Sequence, residues 1–271
     1  MATVSVLEML DAGMHYGHHA SRWNPKMKPY IFGRRNLIHI INLRETLRGL
    51  IIASKFVTYT VASGKSVVFV GTKRQARRVV QEQAGRCGMP FVIERWLGGT
   101  LTNFRTIRLR LDRLLELEAI FQSGTMDQYS KKEGSRMKRE LAKIQRNLDG
   151  IRTMSQLPGA VIVIDPHREK NAVAEAQRLN IPTVCLADTD CDPDVADILI
   201  PGNDDAMRSI EVFARTLADA VLAGKERRIQ RTETEVAPVA AAAAAAERKK
   251  APEAPRPVRP ATQPAEQTPP K

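Results

Sequence analysis

Four short runs of almost wholly apolar, largely β-branched residues are spaced along the chain: Ser66-Val67-Val68-Phe69-Val70, Phe91-Val92-Ile93, Ala160-Val161-Ile162-Val163-Ile164-Asp165 and Thr183-Val184-Cys185-Leu186-Ala187-Asp188, the last two leading into acidic loops. A strand with one face in water alternates apolar and polar residues. A strand that is apolar at every position needs cover on both faces, which is the habit of parallel sheets. Helical patterns separate the runs: a basic helix through Val79-Val80, and helices that fit 171–179 and 205–222. Upstream, Leu37-Ile38-His39-Ile40-Ile41 reads as a further buried strand, followed by Leu43, Leu47, Leu50, Ile51 and Phe56 at helical spacing. Strands of this kind alternating with helices predict an α/β domain with a flavodoxin- or Rossmann-like parallel sheet, assembled from residues 37–102 and 152–228.

Residues 103–151 interrupt that alternation. Phe104, Ile107, Leu111 and Leu114 step by 3, 4 and 3, while Met137, Leu141, Ile144, Leu148 and Ile151 step by 4, 3, 4 and 3. Ser123-Gly124-Thr125 and Glu133-Gly134-Ser135 read as turns between them. Stripes this narrow predict an antiparallel coiled-coil helical hairpin inserted into the α/β domain. At the N-terminus, residues 3–13 read as a short capped helix with Val6, Leu7 and Leu10 on one face, stopped by Gly13. Residues 229–271 are Ala-, Pro- and Lys-rich with few large apolar side chains, so a disordered tail is expected, with a brief helix around the alanine run 240–246.

Between the first helix and the first strand lies His15-Tyr16-Gly17-His18-His19-Ala20-Ser21-Arg22-Trp23-Asn24-Pro25-Lys26-Met27-Lys28-Pro29-Tyr30, with Arg34-Arg35 beyond. Three of the five histidines share a stretch in which cations alternate with Trp23 and Tyr30, unlike an ordinary helix or strand. Such a segment suits a polyanion, and the whole chain agrees: 42 Lys+Arg against 30 Asp+Glu leave a net charge of +12, a balance that points to nucleic acid before an acidic membrane surface. No apolar run approaches the roughly 20 residues of a membrane span. The three scattered cysteines give no disulfide framework, and a cytosolic location is expected.

The fold invites an enzyme, whose site would lie in the loops after the strands. Gly71-Thr72-Lys73-Arg74 follows an apolar strand, yet neither a G-x-G-x-x-G nor a G-x-x-x-x-G-K-[ST] pattern is present. Four cations at the start of that helix suit a backbone phosphate better than a cradled cofactor. Arg95-Trp96-Leu97-Gly98-Gly99 offers charge, a stacking face and a pliable backbone, while Trp96 is equally suited to the core. His18 with Asp188, Asp204 and Asp205 makes a mixed set that zinc accepts, although the spacing is not metal-specific and the aspartates also suit turn and helix caps. Cys185 inside an apolar run reads as core, and no nucleophilic triad is evident.

Taken together, His18, Trp23-Asn24-Pro25-Lys26-Met27, Tyr30-Ile31-Phe32-Gly33, His39-Ile40-Ile41-Asn42-Leu43, Phe69-Val70-Gly71-Thr72-Lys73, Arg95-Trp96-Leu97-Gly98-Gly99, Asp165 and Ile200-Pro201-Gly202-Asn203-Asp204-Asp205 closely resemble the family of small ribosomal subunit protein two in its bacterial form. The resemblance runs over roughly residues 1–228, and the tail departs from it. It implies a cytoplasmic, non-enzymatic ribosomal constituent that binds 16S ribosomal RNA and neighbouring small-subunit proteins, and helps dock the large messenger-binding one. It implies no membrane, no small-molecule substrate and no required cofactor. Carried over residue by residue, Arg22, Trp23, Lys26, Lys28, Arg34 and Arg35 would face RNA, as would Lys73, Arg74, Arg95 and Asn103. The competing readings are a nucleotide- or metal-dependent enzyme on the same sheet and a free RNA-binding regulator.

Overall fold

The computed structural model describes residues 4–123 and 129–250, the last twenty of these as backbone only. Described residues up to Ile229 form one compact unit. Its centre is a five-stranded, fully parallel sheet of β4 (Val67–Val70), β5 (Phe91–Val92), β6 (Ala160–Ile164), β7 (Thr183–Ala187) and β8 (Ile198–Pro201). The spatial order β5-β4-β6-β7-β8 is the flavodoxin-like one, and the chain reverses direction across the sheet between β4 and β6. Every residue of β4, β6 and β7 is buried, as their unbroken apolar runs require.

Successive side chains of a strand point to opposite faces, so each strand feeds two cores. Val67 and Phe69 pack with α2 (Leu43–Ala62), α3 (Arg74–Cys87) and α7 (Met207–Lys250). Val68 and Val70 pack with α4 (Phe104–Gln122), α5 (Lys131–Leu148) and α6 (Lys170–Arg178). Helix α2 approaches β8 so closely that a Cβ on Gly49 would lie 2.6 Å from the Leu199 carbonyl oxygen, which explains a glycine in mid-helix.

Helices α4 and α5 pack against one another with Ile107, Leu111, Leu114, Leu117, Ile144 and Leu148 buried, along the stripes the spacing predicts. The second expected turn is corrected. Glu133-Gly134-Ser135 lies within the first turns of α5, where Ser130 and Glu133 form a reciprocal capping box that begins the helix earlier. Of the first expected turn, Gly124 and Thr125 lie outside the described residues.

The N-terminal region also differs from expectation. After α1 (Val6–Asp11), the segment that reads like neither helix nor strand contains β1 (Tyr16–His19), a 3-10 helix Pro25–Tyr30 and β2 (Ile31–Arg35). With β3 (Ile38–Ile41) these strands form a separate antiparallel sheet in the order β1-β3-β2. Short strands with irregular register carry too few residues for alternation to show in the sequence. The run 37–41 is accordingly half-buried, with His39 and Ile41 inward and Ile38 outward, and Leu37 belongs to the preceding turn. In α1 the apolar face of Val6, Leu7 and Leu10 is exposed, and Met9 is the buried anchor. At the other end α7 runs to Lys250, so the brief helix expected around the alanines is part of it. Residues 251–271 of the expected tail lie outside the described residues.

Candidate nucleic-acid interface and acidic centre

The N-terminal segment presents five of the eight cations expected to face RNA: Arg34 and Arg35 on β2, and Arg22, Lys26 and Lys28 in the loop and 3-10 helix before it. Strands β2 and β3 are joined through Asn36 and Leu37, both with left-handed backbone (φ 48° and 61°), the geometry of a tight hairpin turn. That turn carries Arg34 and Arg35 on the strand leading into it, both exposed. Arg22 and Lys28 are exposed as well, and none of these four has a carboxylate within 4 Å among the described residues. Trp23 is half-buried against the His39 ring at 5.1 Å between centroids, so it underpins the segment while keeping part of its face outward. Lys26 is exposed but engaged, 2.9 Å from Asp192 and 2.6 Å from Asp194.

Those aspartates belong to the loop after β7, against which β1 is docked. The His18 amide donates to Asp188 Oδ1 at 3.2 Å and Thr189 Oγ1 at 3.0 Å, and the Asn24 amide donates to the Thr189 carbonyl. Gly17 makes this contact possible, since a Cβ there would lie 2.7 Å from Thr189 Cγ2. The docking carries His18 to the carboxyl ends of the parallel strands β7 and β8. His18 Nδ1 lies 2.7 Å from Asp188 Oδ2, and its Nε2 lies 3.5 Å from Asp205 Oδ2. Lys73 Nζ lies 2.7 Å from Asp204, 2.6 Å from Asp205 and 3.6 Å from Asp165.

The electrostatics of this centre follow from crowding. The Asp188 carboxylate beside Nδ1 favours the protonated ring and raises the His18 pKa to about 9, against the effect of burial. Burial, reinforced by Asp165 and Asp188, pushes Asp204 up to about 7 despite Lys73. Burial works against the Lys73 charge too, yet Asp204 and its neighbours outweigh it and hold the ammonium protonated. Asp204 Oδ2 is buried with no hydrogen-bond partner, and ligand atoms from His18, Asp188 and Asp204 lie within 4.8 Å of one another. The four residues proposed as metal ligands from sequence are thus assembled in space. Asp188 does accept the Thr189 amide, whereas the turn leading into α7 is closed by Asn203, whose side chain accepts from the Asp205 and Ala206 amides.

At the start of α3 three of four cations are turned inward or along the helix. Lys73 serves the acidic centre, Arg77 pairs with Glu94 at 3.0 Å and Arg78 with Glu82 at 2.7 Å. Arg74 is exposed, with no carboxylate within 4 Å among the described residues. Arg95 and Asn103 are exposed at the two ends of the Gly-rich loop. Trp96 between them is buried and donates its indole N–H to Glu175 Oε1 at 3.0 Å, so the core reading holds for it.

Glu175 is the residue that sequence reasoning missed. Its carboxylate also accepts from the amides of Gly99, Leu101 and Thr102 and from the Thr102 hydroxyl, which folds the whole loop around one buried charge. Burial raises its pKa, but these donors outweigh burial and leave it below the usual value. A glutamate in a helical pattern looks like a solvated surface group, and nothing local announces partners more than 70 residues away.

Comparison with known proteins adds an independent line. A family model described as Ribosomal protein S2 matches residues 9–224. Small ribosomal subunit protein uS2 of Rhodopirellula baltica is 58% identical over 238 residues, spanning 88% of this chain and 90% of the relative. The uS2 of Syntrophobacter fumaroxidans is 52% identical, spanning 86% of this chain and 85% of the relative, and that of Sorangium cellulosum is 53% identical, spanning 81% and 79%. No described helix is long and apolar enough to cross a membrane.

Proposed function

The chain belongs to the ribosomal protein S2 family, and from that premise we propose that its N-terminal antiparallel sheet is the principal grip on 16S ribosomal RNA. The protein is a structural, non-enzymatic constituent of the small ribosomal subunit. The observation that carries the RNA reading is the set of Arg22, Lys28, Arg34 and Arg35, all exposed and none paired with a carboxylate among the described residues. Arginine and lysine held this way exchange condensed counterions for phosphates, which gives affinity that falls steeply with salt. Trp23 fixes the course of the segment and offers its outward edge to a base. Arg74, Arg95 and Asn103 extend the contact along the α/β domain, while Lys26 and Lys73 act by holding the interface to the sheet rather than by meeting phosphate.

Neighbouring proteins, the large messenger-binding one included, are proposed to meet the exposed apolar ground of Val6, Leu7, Leu10 and Phe32. A patch of this kind suits a protein partner better than RNA. The donor set of His18, Asp188 and Asp204, joined by Asp205, fits zinc: one imidazole nitrogen, carboxylate oxygens, and a buried carboxylate oxygen still without a partner. Such an ion would tie β1 to the sheet and thereby position the interface. Equilibrium dialysis of the chelator-treated protein should recover about one zinc per chain, lost in His18→Ala; absence of uptake by the wild type refutes the site.

The RNA reading is tested by Arg34→Ala with Arg35→Ala. Binding to small subunits washed free of their own copy should weaken at least tenfold, while the melting temperature stays within about 2 °C of wild type, as for exposed surface changes. Unchanged binding, or a variant that fails to fold, removes these arginines from the interface.

A further inference from the structure

Helices that cover a sheet bury one face and give water the other. On α3 and α6 the outer face is polar, and among the described residues neither helix exposes a large apolar side chain. Helix α2 departs from this. Its inner face is committed to the core through Leu50, Ala53, Val57 and Val61, yet Ile51 is 45% exposed, Ile52 48% and Tyr59 75%. At about 3.6 residues per turn these three share the outward side of the helix with Arg44, Arg48 and Lys55, all exposed as well. From Arg44 to Tyr59 the face is about 22 Å long, at 1.5 Å per residue. Single exposed apolar residues are ordinary, whereas three on one helix face mark a surface that something covers.

Charge on this face is one-sided. Glu45 is the single acid of α2, and it meets Arg48 at 3.9 Å. Arg44 and Lys55 have no carboxylate within 4 Å among the described residues. Beside Ile52 the helix borders a groove of about 350 Å³, closed on its far side by Pro193 and Ile198. Glu45, Arg48 and Asp197 also line it, and Asp197 is engaged with the Thr183 amide and hydroxyl at 2.8 and 2.9 Å.

These features sort the possible occupants. A second copy of the chain, meeting this one about a two-fold axis, would bring the same three cations against one another. An RNA backbone would answer the cations and leave two isoleucines against phosphates. A protein helix with apolar residues along its middle and carboxylates at its edges answers both, and anchors spaced i, i+3, i+4 and i+7 suit a face of this length.

We propose that the outer face of α2 is a docking surface for an acidic amphipathic helix of a neighbouring protein in the small subunit. The apolar stripe of that helix covers Ile51, Ile52 and Tyr59, with one side chain seated in the groove beside Ile52. Its carboxylates meet Arg44, Arg48 and Lys55, which set its direction. Arg44, at the N-terminal end, also borders the apolar ground of Val6, Leu10 and Phe32, and the rest of the face lies further along the helix. The site stands whether or not the N-terminal segment binds RNA.

Thiol accessibility tests it, because the native Cys87, Cys185 and Cys191 are all buried and the wild type serves as the blank. Ile52→Cys and Tyr59→Cys are made in the full chain. Maleimide labelling is followed in the free protein, in its complex with protein-free 16S ribosomal RNA, and in small subunits carrying the variant as their only copy. Both positions are exposed, so melting should stay within about 2 °C of wild type. Labelling should be fast in the free chain and with RNA alone, and roughly tenfold slower or more in the particle. Adding Arg44→Glu with Lys55→Glu should restore labelling in the particle by roughly threefold or more. A benzophenone crosslinker on the Tyr59→Cys thiol should capture, in the particle, a peptide with carboxylates flanking apolar residues at helical spacing. Protection by RNA alone makes the occupant RNA, and protection that grows with the concentration of free chain makes it a second copy; either overturns the proposal. So do equal labelling in free chain and particle, protection indifferent to the charge reversal, or capture of a basic peptide without that spacing. Melting outside the stated window at both positions makes these side chains part of the fold and overturns it too. Failure of the free chain to bind RNA bears on the RNA reading alone and leaves the particle measurement decisive.

Discussion

Glu175 decides the shape of the loop that ends at Asn103, because its two oxygens accept five donors from Trp96, Gly99, Leu101 and Thr102. Replacing one oxygen by an amide, as in Glu175→Gln, sets N–H groups against N–H groups and should cost about 2–3 kcal/mol at pH 7, read from urea unfolding. Because the folded pKa lies below the unfolded one, the stabilisation is complete above the unfolded value near 4.5 and is lost as pH falls through the folded value. The gap between wild type and variant should therefore narrow below pH 4.5; a gap under 0.5 kcal/mol at neutral pH, or one that widens in acid, contradicts this account. At this scale the sequence was half legible. His18, Asp188, Asp204 and Asp205 were identifiable as a set because residue type narrows what can gather at the carboxyl edge of a parallel sheet. Lys73 was not, since its local context is a basic run and the carboxylates that hold it stand at 165, 204 and 205.

Elements were legible in proportion to how far burial dictates their composition. Strands β4, β6 and β7, buried at every position, could be placed within a residue because no other apolar run of that length has a stable home. The stripes of α4 and α5 were equally clear, as two helices that pack on one another must each repeat an apolar face. Strand β8, at the sheet edge and ending in Pro201, is only partly buried and carried a weaker signal. The antiparallel sheet was the least legible element. Its strands are four or five residues long, bear His, Gly and Arg, and are held by contacts such as His18 with Asp188 that lie 170 residues apart. The same property makes that sheet useful: a layer with little core of its own can spend its outer positions on cations.

Across the whole molecule the net charge of +12 is distributed rather than uniform. Several carboxylates collect at the carboxyl edge of the sheet, where Lys73 and His18 answer them. Cations with no carboxylate within 4 Å among the described residues include Arg22, Lys28, Arg34 and Arg35 of the N-terminal segment, Arg74, Arg95 and, along α5, Lys132, Arg136, Arg139, Lys143 and Arg146. On the proposed reading, these cations let a polyanion hold the α/β scaffold at several points, and family membership places the chain in the small ribosomal subunit. Multi-point attachment of this kind predicts a strongly salt-dependent association. The most direct test is sucrose-gradient sedimentation of the tagged full-length chain from cell extract, at low and then rising salt. The account predicts co-migration with small ribosomal subunits at low salt and progressive release to the top of the gradient as salt rises. A chain that stays at the top of the gradient at low salt, in an extract rich in small subunits, would contradict it.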